Sequence, residues 1–512
     1  MDDLWFSPLA PAVMFLAGAF IVRIVPNRFH VGLATTLLVF MVLISRILLR
    51  GTYPELSGLT VFSGWSETGA LTLRVDGLSM AFLFIPVFLL LGIFWARQAT
   101  DLALLLVLGG ASCLVFIAAN GISFSYALLV FDVAGCVFWL RQSRPNLAVV
   151  RLFLTIFTTG ILMLSGLPET AAIAGNLLAF ALWLRVGLLP FAEISYLREE
   201  QLTGGEMMVW LALSTAVGVY VAARFLAVPL PQFVTLLMVL IVLLNAWLAW
   251  IQRTAHIRLK LLRMILIQPS LALLIAPIEA GVSITLGVVY TFGLATLWLT
   301  PQLGRPNVLE RHWLWIYAAP LLATLSLMSF PATLGWLASD RIYTDLLLGN
   351  QLVVIAAVLL AEGIGFSILY SYWRWLLRRL DRNGRALSAA LVLAVPFLIP
   401  WLGGITFSVV TNIELSDAMA EASPSTWVIV TLIWLLTLGF GIGRQALLTW
   451  LGLTPQAMQT FLSLAWLWPI AGQGADRFSR GVLRLRATLE GAHYLAWAFL
   501  IGLAGILVVV LS

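Results

Sequence analysis

The chain has 512 residues, of which 62% are hydrophobic and only 10% charged, with a formal net charge of +6. That composition excludes a soluble globular protein of this length and points to a helical membrane protein that crosses the bilayer many times. Of the 29 basic residues only Lys260 is a lysine, and in such a chain a positive balance reports topology and leaflet attraction, not nucleic-acid binding.

Apolar runs long enough to span a bilayer recur from end to end. The first two lie at about 8–25 and 31–48. A turn-rich, alternating stretch from Gly51 to Gly77 follows, predicting a short hairpin outside the hydrocarbon. Spans three to six fall at about 77–95, 101–119, 122–140 and 148–166. The seventh starts near 171 and is interrupted by Gly187 and Pro190; the eighth covers about 205–226. Spans nine to eleven lie near 231–251, 261–278 and 280–300. The twelfth, at about 312–348, is too long for one straight crossing and carries Pro331 and Gly335 near its middle, which predicts a broken helix. Spans thirteen to fifteen lie at about 352–374, 386–410 and 425–446. From about 455 to 490, arginines mix with Trp, Leu and Phe in a pattern suited to an interfacial segment, and a last span closes the chain at about 491–511.

Placing the N-terminus outside aligns the arginines. The cytoplasmic loops then hold Arg23, Arg28, Arg97, Arg141, Arg144, Arg151, Arg253, Arg258, Arg305, Arg311, the run Arg374 to Arg385, and Arg477 to Arg486. The other face keeps few basic residues, so both termini are expected on the non-cytoplasmic side of a cell (inner) membrane. The opening MDDLWFSPLA lacks a basic n-region and a small-residue cleavage site, and no removable signal peptide is expected. Cys113 and Cys136 lie in apolar runs and read as small buried hydrophobes. His30, His256, His312 and His493 show no ligand spacing, and there is no Gly-rich phosphate loop. No metal and no cofactor is expected, and no catalytic site of the chain's own.

Against this background a few charges stand isolated within apolar sequence. Asp132 sits in LLVFDVAGCVFWL, Arg185 in ALWLRVGLLPF and Glu362 in VLLAEGIGFSILY; Asp340 and Arg341 adjoin the break in the twelfth span. A charge at bilayer depth is costly, so each reads either as one half of an interhelical pair or cap, or as part of an ion path. Glu193, Glu199, Glu200 and Glu206 read as solvated loop charges after the seventh span. The many Trp residues read as interface anchors and packing.

Several stretches resemble one family. GWSETGALTLRVDGLSMAFLF (Gly64 to Phe84), LAFALWLRVGLLPF with GVYVAARF (Gly218 to Phe225), LSLMSFPATLGWLASDRIY (Leu325 to Tyr343) and LEGAHYLAWAFLIGL occur in order along nearly the whole chain. They resemble segments of the antiporter-like membrane subunits of respiratory complex I and of Mrp-type cation/proton antiporters. The resemblance implies an all-α fold of about 14 core transmembrane helices in two inverted five-helix repeats, with helices 7 and 12 broken. An interfacial helix and two further spans bring the total to about sixteen. The corresponding divisions are 1–100 for the N-terminal helices and hairpin, 101–226 and 231–374 for the two repeats, and 386–512 for the C-terminal helices with the interfacial segment 455–490.

In that family, the resemblance implies, protons move along a mid-membrane line of a glutamate, several lysines and histidines. A buried lysine can load and release a proton because its pKa shifts readily. Here Asp132 takes the place of the glutamate and Arg185 that of the lysine on the seventh helix. Ala216, Leu294 and Ser339 occupy other path positions; Ala192, Trp210 and Tyr290 stand where histidines are expected. Arginine keeps its proton, so Asp132 and Arg185 are expected to form a fixed pair and the path to be degenerate. Two functions stay open at this point. One is a scaffold within a multisubunit translocating assembly. The other is an active H⁺ or Na⁺ translocating subunit with a rewired path through Asp132, Glu362 and Asp340, or a subunit of an inorganic-carbon uptake or hydrogenase-type complex. The expected partners are other membrane subunits, lipids and H⁺ or Na⁺.

Overall fold

The structure is a computed structural model of the 512-residue chain. It describes residues 7–49, 58–62, 71–97, 101–165, 205–225, 232–251, 291–299, 313–331, 333–349, 351–376 and 424–450, with a few single positions between them. The chain divides into two units, Met1–Pro455 and Gln456–Ser512. The described residues all lie in the first.

Three polar residues set the starts of the third, fourth and fifth helices. Asp76, Asp101 and Asn120 each accept a hydrogen bond from the backbone N–H three residues on, at 2.9, 3.1 and 2.8 Å. They are N-caps, and each satisfies one of the orphan donors at a helix start. The helices they open are α3 (Gly77–Ala96), α4 (Leu102–Ile117) and α5 (Gly121–Arg141). Before them come α1 (Ala10–Ile24), α2 (Arg28–Leu49) and an antiparallel hairpin of β1 (Gly58–Phe62) and β2 (Leu71–Arg74). The expected hairpin is therefore present. It is tied to the helices by Ala119 N–H on the Thr72 carbonyl (3.0 Å) and Thr72 N–H on the Ser123 hydroxyl (2.7 Å).

After α5 the chain reverses through Ser143, whose φ of 56° is left-handed, with Arg144 N–H reaching back to the Trp139 carbonyl at 2.8 Å. That six-to-one bond closes a Schellman-type cap and lets α6 (Pro145–Ser165) return antiparallel against α5. Then follow α7 (Gly205–Phe225), α8 (Gln232–Ile251), helical residues 291–299, α9 (Trp313–Leu327), α10 (Leu334–Leu348), α11 (Leu352–Leu376), α12 (Pro424–Ile442) and the short α13 (Arg444–Trp450).

Packing falls into two clusters. In the first, α4 lies against α1, α3, α5 and α7; it is buried all round, with only Val107 and Leu114 outside its buried set. A helix apolar on every side belongs at such a centre. In the second, α11 packs on α8, α10 and α12. Among the described residues, Arg28–Ile47, Leu78–Ala96, Gly121–Arg141, Phe233–Ile251, Leu352–Leu376 and Pro424–Ile442 are long and apolar enough to cross a membrane. The outward faces are apolar too: Phe20, Met41, Val133, Phe153, Ile156 and Leu435 are all exposed. Such faces suit contact with lipid tails, and the chain is a multi-span membrane protein. Apart from single positions, the seventh, tenth and fourteenth spans lie outside the described residues, as do the interfacial segment, the last span and most of the eleventh.

Candidate functional site: a buried charge pair and a helix break

Asp132 sits midway along α5 and is 1% exposed. Across from it α6 presents Arg151 and Thr155, four residues apart and hence on one side of that helix. Arg151 donates through Nε to Asp132 Oδ1 at 2.9 Å, and its Nη2 lies 2.8 Å from the same oxygen. Thr155 donates to Oδ2 at 2.7 Å. The guanidinium also lies 4.9 Å from the ring centre of Trp210 on α7, a cation–π contact that helps offset its burial. Trp210 in turn stacks on Phe131 and Phe138 of α5, with ring centres at 5.3 and 5.7 Å. Gly135 makes room for it: a Cβ there would come within 2.1 Å of the indole.

Arg151 is the residue that sequence reasoning misplaced. The sequence places it in a cytoplasmic loop, whereas it is 2% exposed within α6 and paired with Asp132. The predicted sixth span began near 148, which left Arg151 at its edge. The helix instead starts at Pro145, a residue suited to a first helical turn, and this brings Arg151 nearly two turns inside. The spacing Arg151–Thr155 in VVRLFLTIF carried the signal. Arg185, the expected partner, lies outside the described residues.

The other positions expected from the resemblance hold no carboxylate, lysine or histidine: Ala216, Leu294 and Ser339. Ala216 on α7 and Leu294 are buried, at 0% and 1% exposure. Ser339 on α10 is buried, and its hydroxyl hydrogen-bonds that of Ser329.

Ser329 marks the break in the twelfth span, which divides into α9 and α10 as its length predicts. Ser329 has a φ of 53°, and Phe330 N–H bonds the Leu325 carbonyl at 2.9 Å, a second Schellman-type cap. Thr333 then caps α10, accepting from Trp336 N–H at 3.3 Å. The carbonyl of Met328, freed by the break, accepts from the Trp434 indole of α12 at 2.8 Å. Gly335 is obligatory: a Cβ would lie 1.7 Å from the Ser326 carbonyl oxygen.

One turn beyond Ser339, Tyr343 donates to Glu362 Oε2 at 2.6 Å, with both residues buried. The serine pair and the Tyr343–Glu362 pair therefore share one side of α10. Asp340 is half-buried on the same helix; Arg341 is helical, and its side chain lies outside the described residues. Asp132 belongs to α5 and α6, and Glu362 to α10 and α11, so the structure places them on different helix pairs.

A further polar network joins two of the motif segments. Asp76, in LRVDG, is paired with Arg224, in GVYVAARF. Burial pushes the Asp76 carboxyl up, but the Ser79 N–H, Arg224 and the Ser79 hydroxyl outweigh it and hold the group below the ordinary aspartate value. Nearby, Tyr220 donates to the Phe116 carbonyl at 2.6 Å and lies 3.1 Å from the Ser79 hydroxyl. Among the described residues no cluster of His, Cys, Asp or Glu could hold a metal ion.

No protein-family profile and no curated protein matches the sequence. Solved structures do match. A chain of the membrane-bound sulfane sulfur reductase, an archaeal respiratory membrane complex, aligns over 98% of this chain and 99% of its own, with a TM-score of 0.67 and 14% identity. A chain of the Mrp complex from Dietzia sp. DQ12-45-1b aligns over 98% of this chain, which spans 62% of that one, with a TM-score of 0.66 and 15% identity. A chain of respiratory complex I from Thermus thermophilus with bound Aureothin aligns over 81% of this chain and 99% of its own, with a TM-score of 0.56 and 18% identity. The chain therefore has the fold of these membrane-complex chains, in keeping with its resemblance to antiporter-like subunits.

Proposed function

We propose that the chain is an antiporter-like integral membrane subunit of a multisubunit complex I- or Mrp-like assembly, and that it serves there as a scaffold whose proton path is degenerate. The observation that carries this reading is the pairing of Asp132 with Arg151. A carboxylate held by a guanidinium and a threonine, in a site closed by Trp210, is positioned to fix α5 against α6. Its partner cannot release a proton under biological conditions. Apolar side chains at Ala216 and Leu294, and a hydroxyl at Ser339, support the same conclusion. The reading includes about 14 core helices in two inverted repeats, the divisions 1–100, 101–226, 231–374 and 386–512, and both termini on the non-cytoplasmic side. It also includes an Asp132–Arg185 contact beside the Arg151 pair.

Purification of the tagged chain in a mild detergent tests the assembly. Other membrane subunits are expected to copurify in fixed ratio. Recovery of the chain alone from its native membrane contradicts the proposal. Asp132→Ala is expected to reduce the amount of assembled complex.

One observation favours a second reading, that of an active H⁺ or Na⁺ translocating subunit with a rewired path. Glu362 is a buried carboxyl in a long apolar helix, bonded to Tyr343 beside a helix break, and such groups mark ion paths by default. Under this reading Glu362→Gln abolishes flux in proteoliposomes while assembly stays intact. Under the scaffold reading there is no flux to lose.

A further inference from the structure

At the end of the first helix cluster where α2 begins and α3 ends, six residues line a cavity of about 190 Å³: Phe29, His30, Leu33, Phe94, Trp95 and Arg97. Its chemistry is divided. Phe29, Leu33 and Phe94 supply apolar walls, while Arg97 and His30 stand exposed at the rim; Arg28, also exposed, directly precedes Phe29 in the chain. Arg97 holds its guanidinium 5.7 Å from the ring centre of Phe29. It occupies a left-handed position (φ 53°), where glycine is the usual residue closing a helix. No acidic side chain occurs from Val25 to Leu33 or from Phe94 to Thr100. The arginine-rich cytoplasmic face expected from the sequence includes Arg23, Arg28 and Arg97.

The apolar part of the groove continues along the membrane. Phe29, Leu33, Leu37 and Met41 follow one another at four-residue intervals, which places them in one row on α2. Leu37 and Met41 are 44% and 64% exposed. On the other wall Trp95, 45% exposed, lies in the last turn of α3, and tryptophan at such a helix end commonly meets the headgroup layer. A cationic rim, an aromatic shelf and an apolar row leading toward mid-membrane match an amphiphile with a negatively charged head.

We propose that this groove between α2 and α3 binds one anionic phospholipid, with its phosphodiester at Arg97, Arg28 and His30 and an acyl chain along Leu33, Leu37 and Met41. The charge complementarity selects an anionic over a zwitterionic lipid, because Arg97 and Arg28 are exposed while the next acidic residue along the chain, Asp101, is paired with Arg141. The cavity is small for a whole lipid, so with the phosphodiester at the cationic rim its apolar walls take only the first part of an acyl chain and the rest lies on the exposed row. The inference rests on the chain spanning a membrane and is independent of whether it conducts ions.

The test uses the full chain in nanodiscs with a photoactivatable phosphatidylglycerol, with photoactivatable phosphatidylcholine as the zwitterionic probe. Crosslinks are expected to concentrate on peptides covering 29–41 and 94–97, and to be stronger for phosphatidylglycerol. Competition by unlabelled phosphatidylglycerol should weaken about fivefold for each cation removed in Arg97→Ala and Arg28→Ala, the effect of one basic side chain at an anionic surface. Arg374→Ala, a charge removed elsewhere, should leave it unchanged. Millimolar inorganic phosphate should not displace the lipid; displacement would identify a free-anion site and overturn the lipid assignment. Equal labelling by both lipids, or crosslinks spread evenly over the helices, would overturn it as well.

Discussion

At Asp132 the energetics are decided by burial. The carboxylate and Arg151 are each almost wholly removed from solvent, so the cost of losing one partner exceeds the worth of the pair. Arg151→Met should destabilise the protein by about 3–5 kcal/mol, since it takes the Arg151 guanidinium from a buried carboxylate that keeps the Thr155 hydroxyl, whereas Asp132→Leu with Arg151→Met should recover most of that loss. Thermal unfolding in detergent of the single and double variants reads this directly. A second test concerns Tyr343 and Glu362. Tyr343→Phe removes the donor to a buried carboxyl and should cost about 1–3 kcal/mol; Glu362→Gln keeps an acceptor oxygen and should cost less. Asp76, which precedes α3 and lies outside the spans, gives a pH test. Because the folded Asp76 carboxyl is held below its ordinary value, its contribution is fully present above the pH where an unfolded aspartate ionises, about 4. It is lost as pH falls through the lower folded value. The Tm difference between the native protein and Asp76→Asn should therefore shrink as pH drops below about 4.

At the scale of elements, most helices were readable from the sequence, because each apolar run ends at a residue whose chemistry ends it. Asp76, Asp101 and Asn120 open three helices, and the predicted and observed ends there differ by a residue or two. The break in the twelfth span was readable from its length and from Pro331, while its cause was not. The stop is a left-handed Ser329, and no residue type announces that conformation when it is not glycine or asparagine. Gly335→Ala should disrupt the break, because the added methyl meets a backbone carbonyl that cannot swing aside. The expected outcome is a loss of about 2 kcal/mol or more, the size of effect a backbone clash produces. Limited proteolysis and unfolding temperature check it. Partner choice was the part the sequence withheld. A single chain shows which charges are isolated, but pairing across helices depends on helix start and rotation. A three-residue error at the start of α6 was enough to put Arg151 on the wrong side of that judgement.

For the whole molecule, two packed clusters of helices and a broken span belong to a fold shared with chains of an archaeal respiratory membrane complex and of the Mrp complex. The membrane interior normally admits ionisable residues only at a cost, and here the described ones are bonded in ways that fix helices: Asp132 across α5 and α6, Glu362 across α10 and α11. The most direct test of that account is proton flux into liposomes holding the purified chain, driven by a potassium diffusion potential and read with a pH-sensitive dye. The account predicts that the native protein and Asp132→Asn both match protein-free liposomes. Flux in the native protein that disappears in Asp132→Asn, with the variant still folded, would contradict it.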